Sequence, residues 1–221
     1  MKSAVWAVFL RDLRLAIAGG AASPLGFFIG ATVLVPLAIG ADQKMLANIG
    51  PSLLWVTAAL AALMTLERLI QADLEDGALD QLLVARAPFE LLVAAKGAAA
   101  WTAIGAPIAL IAAPLAVTMQ APLLSLLWIV IDVAVGMVAF FAIGLLAAAL
   151  SAGVRRGGVL IALLVLPFYA PPIIFGAAAT KAAAAGEGLL TAPFLMLCGC
   201  AVAALALGPI GGAAAARLQA E

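Results

Sequence analysis

Six long apolar stretches constrain the fold of this chain more than any other feature of its sequence. Each approaches or exceeds the roughly 20 residues that an α-helix needs to cross the hydrocarbon core of a bilayer. Only Asp132, in the fourth stretch, places a charge inside one of them. Because lipid offers no hydrogen bonds to the backbone, such stretches must form helices. With 67% hydrophobic and 10% charged residues, the composition also departs from that of water-soluble domains. We therefore expect an all-α integral membrane protein with six transmembrane helices, at residues 24–40, 50–66, 97–119, 123–150, 157–180 and 189–216.

The basic residues predict the orientation of these spans. Of the 11 Lys and Arg residues, only Lys44 and Lys181 fall on one side. Positive residues in short loops are retained in the cytoplasm, so both termini are predicted to be cytoplasmic. The residues on the cytoplasmic side are Lys2, Arg11, Arg14, Arg68, Arg86, Lys96, Arg155, Arg156 and Arg217.

The segment before the first span has the pattern of a helix that lies in the membrane interface. Its apolar residues recur at helical spacing, and its charged residues take other angles around the helix axis. We expect this interfacial helix at about residues 3–18, and a single transmembrane domain over residues 1–221. The apolar residues are Val5, Trp6, Phe9, Leu13 and Ile17, and the charged ones are Lys2, Arg11, Asp12 and Arg14.

The longest polar segment is a cytoplasmic elbow at about residues 67–96, between the second and third spans. Its acidic residues outnumber its basic ones in the part from residue 67 to residue 90, where 6 acids against 2 bases give a local net charge of 2 − 6 = −4. A water-exposed segment of this charge is where we look for function. The acids are Glu67, Asp73, Glu75, Asp76, Asp80 and Glu90, and the bases are Arg68 and Arg86.

Helix punctuation divides the elbow into two short helices. Over residues 66–76, Leu66, Leu69, Ile70 and Leu74 share one face, with Arg68 and Glu75 opposite. Asp76 is expected to cap a second helix over residues 78–83, after a joint at Gly77 and before a stop at Pro88. Leu79, Leu82 and Leu83 would be buried and the carboxylates exposed. The alternatives are a solvated acidic loop and a carboxylate-only Ca²⁺ or Mg²⁺ site, whose spacing does not match an EF-hand.

Asp132 lies about 14 Å from the outer end of its span, near the middle of the bilayer. An ionised carboxylate there is costly, so its side chain should face protein, water or a partner. A substrate or proton path is one interpretation of this possible intramembrane polar site. A hydrogen-bonded contact between helices or a protonated carboxyl group is another.

Prolines and tryptophans predict local features of the spans. Pro107 should kink the third span, and a run that includes Pro171 could break the fifth into two elements. The placement of Trp55, Trp101 and Trp128 fits anchoring at the membrane interface, although Trp55 and Trp128 fit internal packing equally well.

Motifs for enzymatic chemistry are absent from the sequence. There is no histidine, no Gly-x-x-x-x-Gly-Lys-Ser/Thr loop for phosphate, no Gly-x-Ser-x-Gly elbow and no His-Glu-x-x-His zinc motif. We expect that this chain is not an enzyme, does not hydrolyse ATP and binds no cofactor alone.

Several segments give the chain a resemblance to a known family that covers nearly its whole length. The most specific is Asp73-Leu74-Glu75-Asp76-Gly77-Ala78-Leu79-Asp80-Gln81-Leu82-Leu83, preceded by Leu66-Glu67-Arg68-Leu69. Others are Pro24-Leu25-Gly26-Phe27-Phe28, Pro36-Leu37-Ala38-Ile39-Gly40, Pro51-Ser52-Leu53-Leu54-Trp55-Val56, Arg155-Arg156-Gly157-Gly158-Val159-Leu160 and Leu166-Pro167. In its order of features the chain resembles the membrane subunits of type-2 ABC exporters. More closely, it resembles the heme exporter protein B (CcmB) family, the permease subunit of the bacterial cytochrome c maturation transporter.

This resemblance implies that the elbow from residue 67 to residue 83 is a coupling helix, which docks into a groove of a separate ATP-binding subunit. ATP and Mg²⁺ would then bind in that partner. The implied contact residues are Glu67, Arg68, Asp73, Glu75, Asp76, Gly77, Leu79, Asp80, Leu82 and Leu83.

The resemblance also implies an inner-membrane complex with further partners. These are a second copy of this chain, a haem-handling membrane protein, a small single-span helper and a periplasmic haem chaperone, without nucleic acid. Haem could cross through the dimer, or ATP could rearrange the haem-handling partner so that loaded chaperone is released. We favour the second, because the chain has no histidine to ligate haem.

Two functions of other classes remain open from the sequence. A membrane assembly scaffold that never couples to ATP would not need a defined elbow. An intramembrane enzyme would have to use Asp132, and an Asp132→Asn variant with full activity would eliminate it.

Overall fold

The computed structural model describes residues 2–40, 42–154 and 157–219, and all regular elements in these ranges are helical. Arg155 and Arg156, which contribute to the predicted orientation and to the resemblance, lie outside the described residues. The elements are α1 (Lys2–Gly19), α2 (Ala22–Ile39), α3 (Gln43–Glu75), α4 (Ala78–Leu83), α5 (Phe89–Ala100), a π-helical turn (Trp101–Gly105), α6 (Ala106–Thr118), a 3₁₀ turn (Leu123–Ser125), α7 (Leu126–Ser151), α8 (Gly157–Ala184) and α9 (Ala192–Gln219).

Six helical segments are long and apolar enough to cross a membrane, which confirms the predicted all-α membrane protein with six spans. The second and third are longer on the elbow side than the sequence pattern indicated, because amphipathic residues extend both helices. The segments are Ala22–Ile39, Gln43–Glu75, Phe89–Thr118, Leu123–Ser151, Gly157–Ala184 and Ala192–Gln219.

Helix α7 lies at the centre of the bundle and packs against α3, α6, α8 and α9. Small residues allow these close contacts. A Cβ atom added at Gly208 of α9 would collide with the carbonyl oxygen of Ala142 in α7, and one added at Gly144 would collide with the side chain of Leu66 in α3. The glycines therefore set the distances between α7 and its neighbours.

Trp55 is a packing residue of this core and not an interfacial anchor. Its ring is fully buried, and Cβ atoms at Gly136 and Gly176 would overlap it. Its indole N–H donates a hydrogen bond of 2.9 Å to the Thr180 hydroxyl. The indole N–H of Trp101 also donates within the bundle, to the Ala134 carbonyl at 3.0 Å, and its anchoring at the interface stays a prediction. Trp55 thus joins α3, α7 and α8.

The third span contains a π-helical turn immediately before Pro107. The amide of Ala106 donates to the carbonyl of Trp101, five residues earlier, instead of the usual four. Proline lacks the N–H that would continue the α-helical pattern, and π turns accommodate such interruptions. The predicted irregularity at Pro107 therefore takes the form of a π turn.

The fifth span is one continuous helix, so the predicted break near Pro171 is wrong. Contacts with α7 and α3 hold α8 together where its prolines remove backbone donors. The Tyr169 hydroxyl donates to the Phe140 carbonyl at 2.9 Å, and Gly176 packs directly on Trp55. Neighbouring helices thus outweigh a local helix-breaking signal.

Ion pairs and polar contacts distinguish the two ends of the bundle. At the elbow end, Arg217 of α9 lies 2.7 Å from Glu90 at the start of α5. At the opposite end, Lys181 donates to Asn48 near the start of α3 at 2.7 Å. The two sides that the sequence assigned to Arg217 and Lys181 are therefore opposite ends of the bundle, while the identity of the cytoplasmic side stays a prediction.

Candidate functional site: the elbow and the buried charges

The elbow is built on a single helix that continues from the second span. Helix α3 has 33 residues, so at 1.5 Å per residue it is about 50 Å long. A bilayer core is about 30 Å thick, so α3 extends well beyond it. The predicted separate helix over residues 66–76 is therefore the last part of α3, because its apolar face continues the packing of the span.

Gly77 forms the joint that the sequence predicted. Its φ of +68° is left-handed, a conformation that glycine adopts without steric cost. The predicted N-cap at Asp76 is wrong: Asp76 ends α3 in a helical conformation, and Gly77 occupies the N-cap of α4 without a side-chain cap. Helix α4 ends at Leu83, well before Pro88, which is the N-cap of α5.

Helix α4 is seated on the rest of the protein by its leucines. Leu79 and Leu82 are buried in an apolar cluster that includes Ile70 of α3 and Phe89 of α5, and Leu83 is half-buried beside it. The opposite surface of the elbow exposes the other residues that the resemblance placed at the ATPase contact, with one exception. The exposed residues are Glu67, Arg68, Glu75, Asp76, Gly77 and Asp80.

Asp73 is the exception, because it is buried and bound within the subunit. Its carboxylate lies 2.7 Å from the Arg11 guanidinium and 2.5 Å from the Lys96 ammonium. The expectation that all carboxylates of the elbow are exposed is therefore wrong at Asp73. Asp73 would therefore affect the binding of a partner only indirectly, because its ion pairs help to hold α3 in position.

Arg11, Asp12, Asp73 and Lys96 form a four-charge cluster that joins α1, α3 and α5. Asp12 lies 2.7 Å from Arg11 and 2.5 Å from Lys96. Burial acts to lower the pKa of the Arg11 guanidinium, but its hydrogen bonds and charge contacts with Asp12 and Asp73 outweigh burial and raise that pKa. Two positive and two negative groups compensate each other.

Two features of this cluster were not predicted from the sequence. Arg11 donates to Asp73 of α3 and Asp12 accepts from Lys96 of α5, so both side chains contribute to the packing of α1. Lys96, which was counted only as a cytoplasmic charge, has a side chain just 5% exposed. Its spacing gives a signal that was missed: Lys96 falls on the same face of α5 as Phe89 and Leu92, both buried.

Asp132 faces the inside of the bundle, as a charge in a membrane span should. It is 1% exposed, Thr180 of α8 is its polar neighbour, and one carboxylate oxygen, Oδ2, has no hydrogen-bond partner. The Thr180 hydroxyl also accepts the bond from Trp55. Asp132 is thus part of a contact between α7 and α8, and its role in transport stays a prediction.

Metal chemistry receives no support from the described ranges. They hold no group of three or more His, Cys, Asp or Glu side chains arranged to bind a metal ion. Asp73, one of the acids of the elbow, is already paired with cations.

Comparison with known proteins gives matches over nearly the entire chain. A family model described as "CcmB protein" matches residues 3–219. The chain is 39% identical over 217 residues to heme exporter protein B of Bradyrhizobium diazoefficiens, covering 97% of this chain and 98% of the relative. It is 41% identical over 215 residues to heme exporter protein B of Paracoccus denitrificans, covering 96% and 98%. It is 35% identical over 219 residues to the Escherichia coli protein of the same name, covering 97% and 98%.

Proposed function

Because this chain belongs to the CcmB protein family, we propose that it is the permease subunit of an ABC transporter complex for cytochrome c maturation. The six helices that are long and apolar enough to cross a membrane support a multi-pass membrane protein, and the names of the relatives support a component of a heme export system. In the proposed complex a separate subunit hydrolyses ATP, and this chain couples that hydrolysis to haem delivery or to release of haem-loaded chaperone.

The geometry of the elbow is the observation that carries the proposal. Helix α3 runs without interruption from the far end of the bundle to Glu75, and the Gly77 joint then turns the chain into α4. A force on α4 acts on its buried leucines, and through Ile70 and Phe89 on α3 and α5 together. Such a connection suits the transfer of ATPase closure into movement of spans two and three.

The four-charge cluster supports the same role for the elbow. It holds α1 and α5 against α3 through Asp73, which lies one helical turn before Asp76. Breaking one member would leave a charge buried without its partner, which is costly. The elbow therefore moves with α1 and α5 as a unit rather than as a free loop.

The other partners follow from the family. The complex would contain two copies of this chain, an ATP-binding subunit that holds ATP and Mg²⁺, a haem-handling membrane protein, a small single-span helper and a periplasmic haem chaperone. It would sit in the bacterial inner membrane with both termini of this chain in the cytoplasm. Because the chain has no histidine, a partner would supply any imidazole that ligates haem iron.

A charge reversal on the elbow tests the coupling assignment. The Glu75→Lys/Asp76→Lys double variant replaces two exposed carboxylates and should abolish co-purification of the ATP-binding subunit with the tagged permease in mild detergent. Glu187→Lys is a matched control, since Glu187 is an exposed acid in the loop between α8 and α9, at the opposite end of the bundle. This variant should co-purify with the ATP-binding subunit like the unmodified chain. Co-purification of the double variant at the level of the unmodified chain would contradict the assignment and favour an assembly scaffold without ATP coupling.

A further inference from the structure

A polar cleft opens beside the elbow, between the end of α3, the end of α7 and the start of α8. Its volume is about 390 Å³. One wall is the face of α3 that carries Glu67, Gln71 and Glu75, and the opposite wall includes Ser151 and Gly153. No residue of α4 lines the cleft.

The α3 wall of the cleft is acidic and held in place. Glu67 and Glu75 are two helical turns apart and therefore share a face. Gln71 lies between them: its side-chain amide donates to Glu75 at 2.7 Å, and its carbonyl oxygen accepts from the backbone amide of Gly153 at 2.8 Å. Gln71 thus fixes Glu75 and ties α3 to the loop after α7.

The opposite wall contributes a polar group without a partner. Ser151 is 2% exposed, lines the cleft, and its buried hydroxyl makes no hydrogen bond. Buried hydroxyl groups are nearly always hydrogen-bonded, because leaving one unpaired costs free energy. The cleft thus combines two carboxylates with a buried hydroxyl group that has no hydrogen-bond partner within the described residues.

Glycines at the start of α8 keep this space open. A Cβ atom at Gly158 would come within 3.0 Å of a carboxylate oxygen of Glu67, and one at Gly157 within 3.0 Å of the Ser151 carbonyl. Side chains at these positions would crowd the Glu67 carboxylate and the Ser151 backbone carbonyl.

We propose that this cleft receives a basic side chain, lysine or arginine, from the ATP-binding partner. The inference rests on the proposed function and adds a second contact to it, at a face of α3 that α4 does not line. Charge complementarity argues for this occupant: two carboxylates favour a cation, and an ammonium or guanidinium group carries several donors that can also reach the Ser151 hydroxyl. A basic side chain bound here would contact α3 at a second place beside the coupling helix.

The binding test uses the permease in lipid nanodiscs, titrated with the purified ATP-binding subunit. Truncating one partner of a buried, hydrogen-bonded charge pair has a large effect on affinity, so Glu67→Gln/Glu75→Gln should weaken binding by at least about tenfold. Ser151→Ala should weaken it by a few-fold, and it isolates the cleft because Ser151 is not part of the elbow. The control Glu187→Gln should bind like the unmodified chain.

The outcomes separate this inference from the proposed function. If the unmodified permease does not bind the ATP-binding subunit, the proposed function fails. If it binds and the affinity is the same in Ser151→Ala and in Glu67→Gln/Glu75→Gln, only the cleft inference is overturned.

A chemical protection experiment tests the cleft without altering its acids. In a background lacking Cys198 and Cys200, Val154→Cys places a thiol on the cleft wall, where Val154 is 47% exposed. Bound partner should slow labelling of this thiol by at least about tenfold, as expected for a group buried in an interface. Leu190→Cys, at an exposed site in the loop between α8 and α9, should label at an unchanged rate. Equal labelling of Val154→Cys with and without partner would overturn the inference.

Discussion

The four-charge cluster places two acids and two bases in contact with one another at the elbow end. Isolated charges are expensive to bury, but Lys96 contacts both Asp12 and Asp73, and Arg11 contacts the same two acids. Pairing compensates the loss of hydration only while all members are present. At the scale of single residues, Lys96 is therefore the most sensitive position, since it is the most buried of the four.

Replacing Lys96 should destabilise the protein strongly. Lys96→Met keeps the length and apolar stem of the side chain but leaves two acids facing Arg11 alone, and should cost about 3 kcal/mol of unfolding free energy. Arg14→Met is the control, because Arg14 is exposed on α1, and should change stability by less than about 0.5 kcal/mol. Reversible unfolding of the detergent-solubilised chain measures both. Equal stability of the two variants would show that the cluster does not hold the elbow.

At the scale of elements, the sequence predicts the spans but not how the helices continue at the elbow. The apolar runs predicted all six spans, because no other structure satisfies the backbone in lipid. The pattern could not show that α3 continues through residue 66, since an amphipathic segment looks the same in a separate helix and in a continuing one. It also missed the pairing of Asp73 with Lys96, although each shares a face with buried apolar residues, Asp73 with Ile70 and Lys96 with Leu92.

The prolines of the fifth span failed as a signal, and the sequence left the role of Trp55 open, for a different reason. A proline lowers local helix stability, but α8 is stabilised by contacts with α3 and α7 that lie far away in sequence. The burial of Trp55 depends likewise on Gly136 and Gly176, which form a space for its ring. Tertiary packing of this kind cannot be inferred from spacing within one segment.

At the scale of elements, the Gly77 joint should be needed for coupling more than for folding. Gly77→Ala places a Cβ in the left-handed region at a cost of about 1–2 kcal/mol, which should loosen α4 and lower ATP hydrolysis by the reconstituted complex. Gly186→Ala is the matched control: Gly186 also has positive φ, +86°, and open space around it, but lies in the loop between α8 and α9 at the opposite end. The contrary result would be equal ATPase activity in the two variants.

At the scale of the whole molecule, the two ends of the bundle differ in charge, and we propose that the elbow end is the one that couples to the ATP-binding subunit. The end that contains Lys181 and Asn48 carries few charges, whereas the elbow end combines the four-charge cluster, the Arg217 and Glu90 pair and the acidic cleft. The six spans connect these ends through a core centred on α7. This arrangement suits a subunit that receives mechanical work at one end and transmits it across the membrane.

The most direct test of the central claim is affinity purification of this chain from its native membranes in mild detergent. Mass spectrometry would identify what accompanies it, and an assay would measure ATP hydrolysis in the eluate. We predict an ATP-binding subunit in equal amount with this chain, haem-handling membrane partners and measurable ATP hydrolysis. Recovery of the chain alone, without ATP hydrolysis, would contradict the account.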